Sequence, residues 1–474
     1  MNKGVMIGGK WVETEGGFAV TNKYSLAEIA HVGQADEPLV EEAINTAYSA
    51  TAIMASMKAH ERSAILLKTA QLVGENRDEM GKTIAQEAGK AIKHALGEVD
   101  RCINTFTFAA EEAKRISGET VPLDAVASAE DFFGFWLRRP VGVVAAITPF
   151  NFPLNLVAHK IAPAIAAGNP FVLKPASTTP LVALKLADLL LEAGMPAKAV
   201  NVVCGSGATV GDPLVSNDKV AKVSFTGSAK VGRAILIKAG IKKVTLELGN
   251  TSPVIVDEVN CLEDVVKRCA IGAFYYQGQV CISVQRVYVK RDLYGEFKEK
   301  LIAAAKAQVV GDPLDEKTDI GPMIDEGEAK RVEMWVRDAW ESGAKVETGG
   351  CRDGVMVTPG VLSDVRKELP VFSCEVFGPV VSVVPYDDFS AALVEADDTT
   401  YGLQAGVYTK DVDKVLQSIE GLNFGGVVIN DIPTFRADHM PYGGNRQSGL
   451  GREGLRYAIE DMTNIQMVAI KRKK

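Results

Sequence analysis

Apolar residues follow two different periods along this chain. Over residues 39–116 they recur at helical spacing, with alanine-rich faces and charged backs, which predicts two or three long helices. From residue 140 onward the pattern changes to short β-branched runs separated by helical stretches such as residues 181–191. The predicted strands of this series cover residues 141–147, 171–173, 200–203, 223–225 and 244–246. Strands and helices that alternate in this way are typical of a parallel sheet covered on both faces.

A second series of strands and helices begins after residue 252. Its predicted strands cover residues 254–256, 287–289, 380–384 and 427–430, and its predicted helices cover residues 262–276 and a stretch that ends at residue 307. This series predicts a second α/β unit. Residues 132–137 and 465–470 also look like strands, but they belong to neither series. We expect them to pair with each other or with another subunit, because an exposed strand edge needs to be covered.

The composition is that of a globular intracellular protein. The 474 residues are 47% apolar and carry a net charge of −8, which opposes binding to nucleic acid despite four basic residues at positions 471–474. Residues 1–12 lack the apolar core of a signal peptide, and no stretch reaches the ~18 apolar residues of a membrane span. The seven cysteines are scattered without a CxxC pair, which favours a reducing compartment and no metal site. We therefore expect a cytoplasmic protein without a membrane or nucleic-acid partner.

Two glycine-rich strings resemble nucleotide-binding motifs. Residues 449–454 match GxGxxG, but a polar loop precedes them where a strand is required, so we reject them as a dinucleotide site. Residues 227–232 lack the Lys-Ser/Thr pair of a phosphate-binding P-loop, so they do not support triphosphate hydrolysis. This second string does lie between a predicted strand and a predicted helix at residues 231–239. It is either a pyrophosphate site or an ordinary strand-to-helix turn.

Three residues together have the composition of a covalent acyl-transfer site. Cys281 follows a glycine near a predicted helix end, Glu247 ends a predicted apolar strand, and Asn151 lies in a turn between two prolines. They would provide a nucleophile, a base whose neutral form is favoured by burial, and an amide donor for an oxyanion. Each also has a plainer interpretation: an inert core cysteine, a strand glutamate that faces water, and an asparagine that makes a turn.

The order of several short motifs connects the chain to a known family. The motifs PFNFP, LKPAS, FTGS, LELG, GQVC and EVFGP occur in this order. On these motifs the chain resembles the aldehyde dehydrogenase superfamily from about residue 11 to residue 471. Residues 430–436 and 439–444 look most similar to the branch that includes lactaldehyde, phosphonoacetaldehyde and non-phosphorylating glyceraldehyde-3-phosphate dehydrogenases.

The resemblance implies an α/β fold with two Rossmann-like parallel-sheet domains and a small bridging β-sheet for oligomerisation. The expected cofactor-binding domain covers residues 1–119 and 139–249, and the expected catalytic domain covers residues 250–447. The expected bridging segments are residues 120–138 and 462–474. A homodimer or homotetramer is implied as well.

The resemblance also implies an activity, in which an aldehyde is oxidised to a carboxylic acid with NAD or NADP through a cysteine hemithioacetal and thioester. By similarity, Cys281 is the nucleophile, Glu247 the base that activates water, and Asn151 with the Cys281 N–H the oxyanion hole. A cysteine is mostly protonated at neutral pH, so we expect a positive field or a base to favour its thiolate. The positions that match cofactor-binding residues of the family are Thr148, Pro149, Lys174, Ser177, Gly207, Gly227, Ser228, Glu375 and Phe377.

Several positions bear on cofactor and substrate choice. NAD-preferring relatives often have a glutamate at position 177, so Ser177 leads us to expect that NADP is accepted at least as well as NAD. Val280 and Ile282 give the nucleophile an apolar wall, and Val280 cannot hold an anionic tail as the arginine beside the cysteine does in some of these relatives. From the resemblance to this branch we expect a short polar or hydroxylated aldehyde. Arg436 or Arg101 would hold an anionic tail, or each forms an ordinary surface salt bridge.

Three further features leave alternatives open. Cys374 replaces the usual acid before Glu375 and is either an oxidation-sensitive thiol or simply a small residue. Asn250 replaces a common glycine after the LELG motif, which changes a turn and leaves the base in place. Glu453 matches a carboxylate linked to proton relay in the family, or it is a glutamate favoured at a helix start.

Two other functions compete with this interpretation. An acylating enzyme of the same architecture would pass the thioester to coenzyme A, but a retained hydrolytic base at position 247 speaks against it. A catalytically silent binding or structural protein would have lost Cys281, Glu247 or Asn151, and all three are present.

Overall fold

The computed structural model describes residues 2–472. Met1, Lys473 and Lys474 lie outside the described residues, and so do the outermost positions of the predicted ranges 1–119 and 462–474 and half of the basic run at the end of the chain. Among the helices of residues 2–472, none combines the length and the apolar character needed to cross a membrane.

Helices and strands alternate along most of the chain. The α-helices are α1 (Glu37–Ser49), α2 (Thr51–Ser56), α3 (Ala59–Glu75), α4 (Arg77–Ala88), α5 (Ile92–Ala113), α6 (Asn155–Ala167), α7 (Leu181–Glu192), α8 (Asp212–Ser216), α9 (Ala229–Ala239), α10 (Leu262–Phe274), α11 (Arg291–Lys306), α12 (Glu326–Glu341), α13 (Pro370–Ser373), α14 (Phe389–Asp397), α15 (Val412–Gly421) and α16 (Leu455–Asp461). The strands are β1 (Asn2–Lys3), β2 (Val5–Ile7), β3 (Lys10–Val12), β4 (Gly16–Thr21), β5 (Glu28–Gln34), β6 (Glu119–Val121), β7 (Phe132–Pro140), β8 (Val143–Ile147), β9 (Phe171–Lys174), β10 (Val200–Val202), β11 (Val220–Thr226), β12 (Lys243–Glu247), β13 (Pro253–Val256), β14 (Arg286–Lys290), β15 (Lys345–Thr348), β16 (Arg352–Asp353), β17 (Met356–Val357), β18 (Gly360–Ser363), β19 (Val380–Tyr386), β20 (Gln404–Tyr408), β21 (Gly426–Ile429), β22 (Gly449–Leu450) and β23 (Thr463–Lys471).

The helical region near the N-terminus is more divided than the sequence pattern predicts. Residues 39–116 contain α1 to α5, of which α3 and α5 are the long ones. Asp36 caps α1 by accepting a hydrogen bond from the Leu39 N–H at 2.9 Å. Gly89 ends α4 with a φ of 67°, a left-handed conformation that suits glycine. The apolar residues keep their helical spacing across these caps, so the spacing alone does not show where one helix ends and the next begins.

The first large sheet has the order β22-β12-β11-β8-β9-β10-β2-β3. Its five central strands, from β12 to β10, are parallel, and their chain order reverses between β8 and β11. In doubly wound sheets of this kind, ligands bind outside the carboxyl ends of the strands, at the point of reversal. All residues of α6 are buried, because this helix packs between the sheet and the pair α3 and α5.

The second large sheet has the order β15-β18-β19-β14-β13-β20-β21, and all of its strand pairs are parallel except β15 with β18. Strands β13, β14, β19 and β21 fall where the sequence predicts strands. Strand β20 lies between β13 and the edge strand β21 and is fully buried, but the sequence pattern does not predict it.

The third sheet has the order β23-β7-β6 and is antiparallel. Strands β7 and β23 pair over nine residues each, from Phe132 opposite Lys471 to Pro140 opposite Thr463. The two unassigned strands predicted from the sequence therefore pair with each other. The predicted α/β fold class is confirmed, with two large sheets that are mainly parallel and a small antiparallel one.

Candidate active site

Cys281 lies in a tightly constrained loop between α10 and β14. Helix α10 ends at Phe274, two residues before the predicted end, because Tyr276, Gln277 and Gly278 have φ values of 47°, 54° and 68°. A Cβ at Gly278 would lie 2.1 Å from the Gly378 carbonyl oxygen, so this approach requires glycine. Left-handed residues in succession store strain, which packed surroundings must hold in place.

Hydrogen bonds to distant parts of the chain hold this loop. The Tyr276 hydroxyl donates to the Ala88 carbonyl at 2.8 Å, and the Gln277 amide donates to the Pro322 carbonyl at 2.6 Å. The loop conformation therefore depends on contacts with both the helical region and the chain after β14. It places the Cys281 thiol at the wall of a cavity.

The Cys281 sulfur lies 3.0 Å from the Tyr442 hydroxyl oxygen. Burial raises the pKa of the Cys281 thiol to about 12, and the hydrogen bond to Tyr442 and the charge of Arg436 oppose this rise only in part. Arg436 supplies the expected positive charge that favours the thiolate, but burial outweighs it. A bound cofactor with a positively charged ring would favour the thiolate further.

Glu247 is the last residue of β12 and is buried between β11 and β22. Neither of its carboxylate oxygens has a hydrogen-bond partner among the described residues. Burial raises the pKa of Glu247 well above its usual range, the negative charge of Glu453 adds to the rise, and Arg436 and Lys160 oppose it. The alternative of a strand glutamate facing water is therefore wrong. This carboxyl group is free to bind a proton or a water molecule in the cavity.

Asn151 lies in the loop after β8, and its side chain is buried. The Asn151 amide nitrogen donates to the Gln279 carbonyl oxygen at 2.9 Å. An amide nitrogen has two hydrogens, so this bond fixes the group beside the Cys281 loop and leaves a second N–H available. The amide oxygen has no partner within residues 2–472.

These three residues line one cavity of about 460 Å³. Five of the nine predicted cofactor residues line the same cavity: Pro149, Gly227, Ser228, Glu375 and Phe377. The Glu375 carboxylate accepts a hydrogen bond from the Asn250 N–H at 3.1 Å, and burial raises its pKa to about 8. The cavity thus brings the predicted nucleophile, base and amide donor together with a large part of the predicted cofactor site.

The other four predicted cofactor residues, Thr148, Lys174, Ser177 and Gly207, lie outside the lining of this cavity. They follow or end β8, β9 and β10, so they lie at the carboxyl ends of adjacent parallel strands. The buried Lys174 ammonium makes one long hydrogen bond, 3.4 Å to the Pro175 carbonyl, and the buried Thr148 hydroxyl has no partner in the described part of the chain. Such underused donors fit a ligand rich in hydroxyl and phosphate oxygens, as a dinucleotide is.

The two glycine strings differ in their structural setting. Residues 227–228 connect β11 to α9, and the Ser228 hydroxyl accepts a hydrogen bond from the Val231 N–H at 3.4 Å as the helix N-cap. Strand β22, at the start of the GxGxxG string, pairs with the edge of β12 and lacks the preceding strand of a dinucleotide motif. The turn at residues 227–228 borders the cavity through both of its residues, and the GxGxxG string contributes Glu453 to the same lining.

A second cavity of about 250 Å³ also reaches Cys281. The two cavities share Leu156, Cys281, Arg436 and Tyr442. Apolar side chains of the second cavity include the predicted wall residues Val280 and Ile282. Three arginines also line it, namely Arg101, Arg268 and Arg436. This cavity therefore combines an apolar wall beside the sulfur with three guanidinium groups.

Arg436 belongs to a buried ionic cluster. Its guanidinium lies 3.0 Å from the Glu453 carboxylate, which also binds the Lys160 ammonium at 3.0 Å. The interpretation of Arg436 as a surface arginine is therefore wrong. Burial favours protonation of Glu453, but Lys160 and Arg436 outweigh it and hold the pKa of Glu453 below its usual range. Helix α16 begins two residues after Glu453, so the helix-start interpretation of this residue is also wrong.

Arg101 pairs with Asp438 at 2.6 Å and is partly exposed. It thus forms the expected salt bridge and also lines the second cavity. Asp438 is buried. Its carboxylate also accepts a hydrogen bond from the Asn155 amide at 3.1 Å and lies 2.9 Å from the His159 Nε2 atom. Cys374 is exposed, with its sulfur 3.9 Å from the Ser373 hydroxyl.

Sequence reasoning assigned no role to Tyr442, Lys160 or Asp438. Tyr442 lies in the segment 439–444, which in the sequence indicates only the branch of the family that the chain resembles. It is 161 residues from Cys281, so no local spacing connects them. Lys160 lies in the middle of the apolar helix α6, where a single charge is a signal for a buried partner.

Comparisons with known proteins find relatives along nearly the whole chain. A family model described as the aldehyde dehydrogenase family matches residues 11–468. A 3-sulfolactaldehyde dehydrogenase of Priestia megaterium is 44% identical over 467 residues, covering 98% of each chain. The structure of aldehyde dehydrogenase 21 from Physcomitrella patens with the reaction product succinate is 42% identical, with a TM-score of 0.97 and coverage of 99% and 98%. The glyceraldehyde-3-phosphate dehydrogenase GapN of Methanocaldococcus jannaschii, complexed with NADP, is 42% identical, with a TM-score of 0.92 and coverage of 96% and 99%.

Proposed function

Because this chain belongs to the aldehyde dehydrogenase family, we propose that it uses Cys281 as the nucleophile to oxidise a short, hydroxylated aldehyde with a negatively charged tail. The protein is an NAD(P)-dependent enzyme that oxidises an aldehyde to a carboxylic acid. One observation carries the proposal for the substrate. A cavity of about 250 Å³ that ends at the Cys281 sulfur is lined by three arginines. Its size suits a short chain. Each arginine pairs with a carboxylate, namely Asp438, Asp431 or Glu453, so an anion would bind the guanidinium N–H groups that these pairs leave unused.

Cys281, Asn151 and Glu247 have distinct roles in the proposed reaction. The Cys281 thiol gives its proton to solvent, a bond forms between the sulfur and the aldehyde carbon, and the carbonyl π pair moves to oxygen. The Asn151 amide and the Cys281 N–H stabilise that oxyanion. NAD or NADP, when bound, accepts the hydride from the tetrahedral carbon, and a thioester to Cys281 results.

Glu247 completes the reaction by hydrolysis. Its ionised carboxylate takes a proton from water, the hydroxide adds to the thioester carbon, and the sulfur leaves as thiolate. The absence of hydrogen-bond partners for both oxygens within the described chain supports this role, because nothing in the protein competes with water for them. Because the pKa of Glu247 is raised, this carboxyl group needs a higher pH than an ordinary glutamate to reach its ionised, basic form.

The known relatives support the anionic and hydroxylated substrate. The names of the relatives in Priestia and Physcomitrella indicate 3-sulfolactaldehyde as a substrate and succinate as a product, respectively. Both are short anions, and the first bears a hydroxyl next to the aldehyde. In the present chain the Arg436 Nε has no partner among the described residues, and Arg101 is partly exposed. Both side chains therefore have donors to offer a sulfonate, carboxylate or phosphate.

We also propose that NADP is accepted at least as well as NAD. The Ser177 hydroxyl donates to the Gly205 carbonyl at 2.9 Å, so position 177 presents no negative charge to a 2′-phosphate. The buried Lys174 ammonium ends the neighbouring strand β9. The GapN structure with bound NADP, at 42% identity, supports the same preference.

The exposed edge of the third sheet supports a homo-oligomer, and the free cysteines support a cytoplasmic location. Strand β23 is an edge strand of nine residues, and it exposes the apolar side chains of Ile465, Met467 and Ile470. A long apolar edge of this kind is suited to pairing with a second copy. All seven cysteines are free thiols, which supports a reducing compartment.

An aldehyde panel tests the proposed activity. Nicotinamide absorbance is followed with each cofactor for lactaldehyde, glycolaldehyde, 3-sulfolactaldehyde, succinic semialdehyde and glyceraldehyde 3-phosphate, and for hexanal and benzaldehyde as apolar and aromatic comparisons. We expect the highest kcat/KM for an anionic or hydroxylated aldehyde of three or four carbons. A clear preference for long apolar or aromatic aldehydes would overturn the proposed substrate class. Strong stimulation by coenzyme A would overturn the hydrolytic step in favour of acyl transfer.

A further inference from the structure

Tyr442 is the polar side chain in direct contact with the Cys281 sulfur. Its hydroxyl oxygen is 3.0 Å from Sγ, and among the described residues the hydroxyl makes no other hydrogen bond. Both residues line both cavities, so the hydroxyl stands where an aldehyde from the second cavity would meet the nucleophile. This position is not explained by the roles of Cys281, Glu247 and Asn151.

The Tyr442 ring is held in place independently of its hydroxyl. Tyr442 and Glu453 exchange backbone hydrogen bonds of 3.1 and 2.6 Å. The Arg436 guanidinium lies 3.7 Å from the ring centroid, within the range of a cation–π contact. Glu453 fixes that guanidinium through the ion pair at 3.0 Å. The phenol is therefore a rigid, preorganised group rather than a mobile one.

The hydroxyl is a donor at every pH at which the enzyme would work. Burial raises the pKa of Tyr442 well above its usual range, so the phenol keeps its proton. Two other uncharged polar groups of the second cavity are committed elsewhere. The Thr434 hydroxyl donates to the Ile282 carbonyl at 2.9 Å, and the Asn155 amide bridges Asp438 and Thr105. Only Tyr442 combines a free hydroxyl with contact to the sulfur in the described lining of this cavity.

Covalent bonding limits how far a substrate hydroxyl can lie from the sulfur. When Sγ bonds to the aldehyde carbon, a hydroxyl on the next carbon is three covalent bonds from the sulfur. The Tyr442 hydroxyl oxygen is 3.0 Å from the same sulfur, so rotation about the intervening bonds can bring the two hydroxyls within hydrogen-bond distance. The side chains of Val280 and Ile282 around it are apolar and cannot satisfy it.

We propose that Tyr442 is a specificity-determining residue, whose hydroxyl binds the hydroxyl on the carbon next to the aldehyde. The contact with the Cys281 sulfur is the arrangement of the free enzyme, and the 2-hydroxyl group replaces the sulfur as partner once the substrate is attached. This inference rests on the proposed oxidation of hydroxylated aldehydes, and it adds the group that recognises the hydroxyl. Tyr442 has no proposed role in the attack on the carbon, the stabilisation of the oxyanion or the transfer of the hydride.

The test compares two aldehydes that differ only in that hydroxyl. Lactaldehyde and propanal are both uncharged, so the three arginines do not distinguish them. Wild type and Tyr442→Phe are assayed with both at saturating NADP. We expect Tyr442→Phe to lower kcat/KM for lactaldehyde about 3- to 10-fold more than for propanal, as the loss of one uncharged hydrogen bond predicts. Loss of the contact to Cys281 affects both aldehydes equally and cancels in this ratio.

A matched control keeps the result interpretable. Tyr386→Phe also removes a buried hydroxyl, one that donates to the Val256 carbonyl at 3.3 Å in the second sheet. It is expected to leave the lactaldehyde-to-propanal ratio unchanged. Phenylalanine retains the ring that Arg436 packs against, so the Tm of Tyr442→Phe should stay close to that of Tyr386→Phe.

The outcomes separate the two proposals. Equal losses for the two aldehydes, or no loss for either, would overturn the role of Tyr442 while aldehyde oxidation stands. A wild-type enzyme that oxidises propanal but not lactaldehyde or any other 2-hydroxyaldehyde would overturn the proposed substrate class, and this role with it.

Discussion

The Arg436 guanidinium lies 3.0 Å from the Glu453 carboxylate, and both side chains are buried where the two cavities meet. This pair connects the environment of Glu247 with the arginines of the second cavity. A charge change on either partner therefore alters substrate binding or the pKa of the base. Substitution of Arg436 tests the effect on substrate binding, and substitution of Glu453 tests the effect on the pKa of Glu247.

Replacement of Arg436 by lysine should weaken the binding of anionic aldehydes. Lysine keeps the charge but cannot maintain both the ion pair with Glu453 and the contact with the Tyr442 ring. We expect KM to rise about 10-fold for an anionic aldehyde and less than about 2-fold for propanal. Arg291→Lys, at an exposed pair with Asp387 far from the cavities, is the control. An unchanged KM for all anionic aldehydes would remove Arg436 from the substrate site.

Replacement of Glu453 by glutamine should shift the pH dependence of hydrolysis to lower pH. The charge of Glu453 raises the pKa of Glu247, and its removal leaves Lys160 and Arg436 to lower that pKa. Glu247 acts when it is ionised, so the acidic limb of the kcat profile should move toward lower pH. A profile that moves to higher pH, or does not move, would contradict this coupling. The variant should also be less stable, because Lys160 loses its buried partner.

Replacement of Ser177 by glutamate should reverse the cofactor preference. A carboxylate at this position accepts hydrogen bonds from ribose hydroxyls and repels a 2′-phosphate. We expect kcat/KM for NADP to fall by about 10-fold or more relative to that for NAD. Ser177→Ala removes the bond to Gly205 without adding a charge and should leave the ratio nearly unchanged. A wild-type enzyme with a strong preference for NAD would refute the premise.

The thiol of the free enzyme should be poorly reactive despite its role. Burial raises the pKa of Cys281 to about 12, so only a small fraction is thiolate at neutral pH. Peptide-resolved alkylation by iodoacetamide at pH 7.5 should therefore be slower at Cys281 than at the exposed Cys351 and Cys374. The Cys281 rate should keep rising above pH 9 and increase when oxidised NADP is added. A rate that levels off below pH 8 without cofactor would contradict this environment.

Much of the fold and the centre of the site could be predicted from the sequence, because both are encoded locally. Strands such as β8 and β12 are short β-branched runs, and Cys281, Glu247 and Asn151 each lie in a distinctive motif. Strand β20, with the sequence Gln-Ala-Gly-Val-Tyr, has little local β signal and is determined by its place between β13 and β21.

Contacts made across the fold could not be predicted in this way. Arg436 looks like a surface residue until Glu453, Lys160 and Tyr442 are assembled around it. The pKa of Cys281 is raised by burial, and the sequence around the cysteine does not show how deeply it is buried. Motifs therefore predict which residues react, and the tertiary structure is needed to find what surrounds them.

Covalent chemistry at Cys281 is tested by rapid mixing of Glu247→Gln with NADP and a good aldehyde substrate. Without the base, hydride transfer proceeds once and the thioester persists, since no group within the described chain replaces Glu247 beside it. We predict a burst of one reduced cofactor per active site, followed by slow turnover, and an added acyl mass on the peptide that contains Cys281. Steady turnover without a burst, or acyl mass on another residue, would contradict the mechanism.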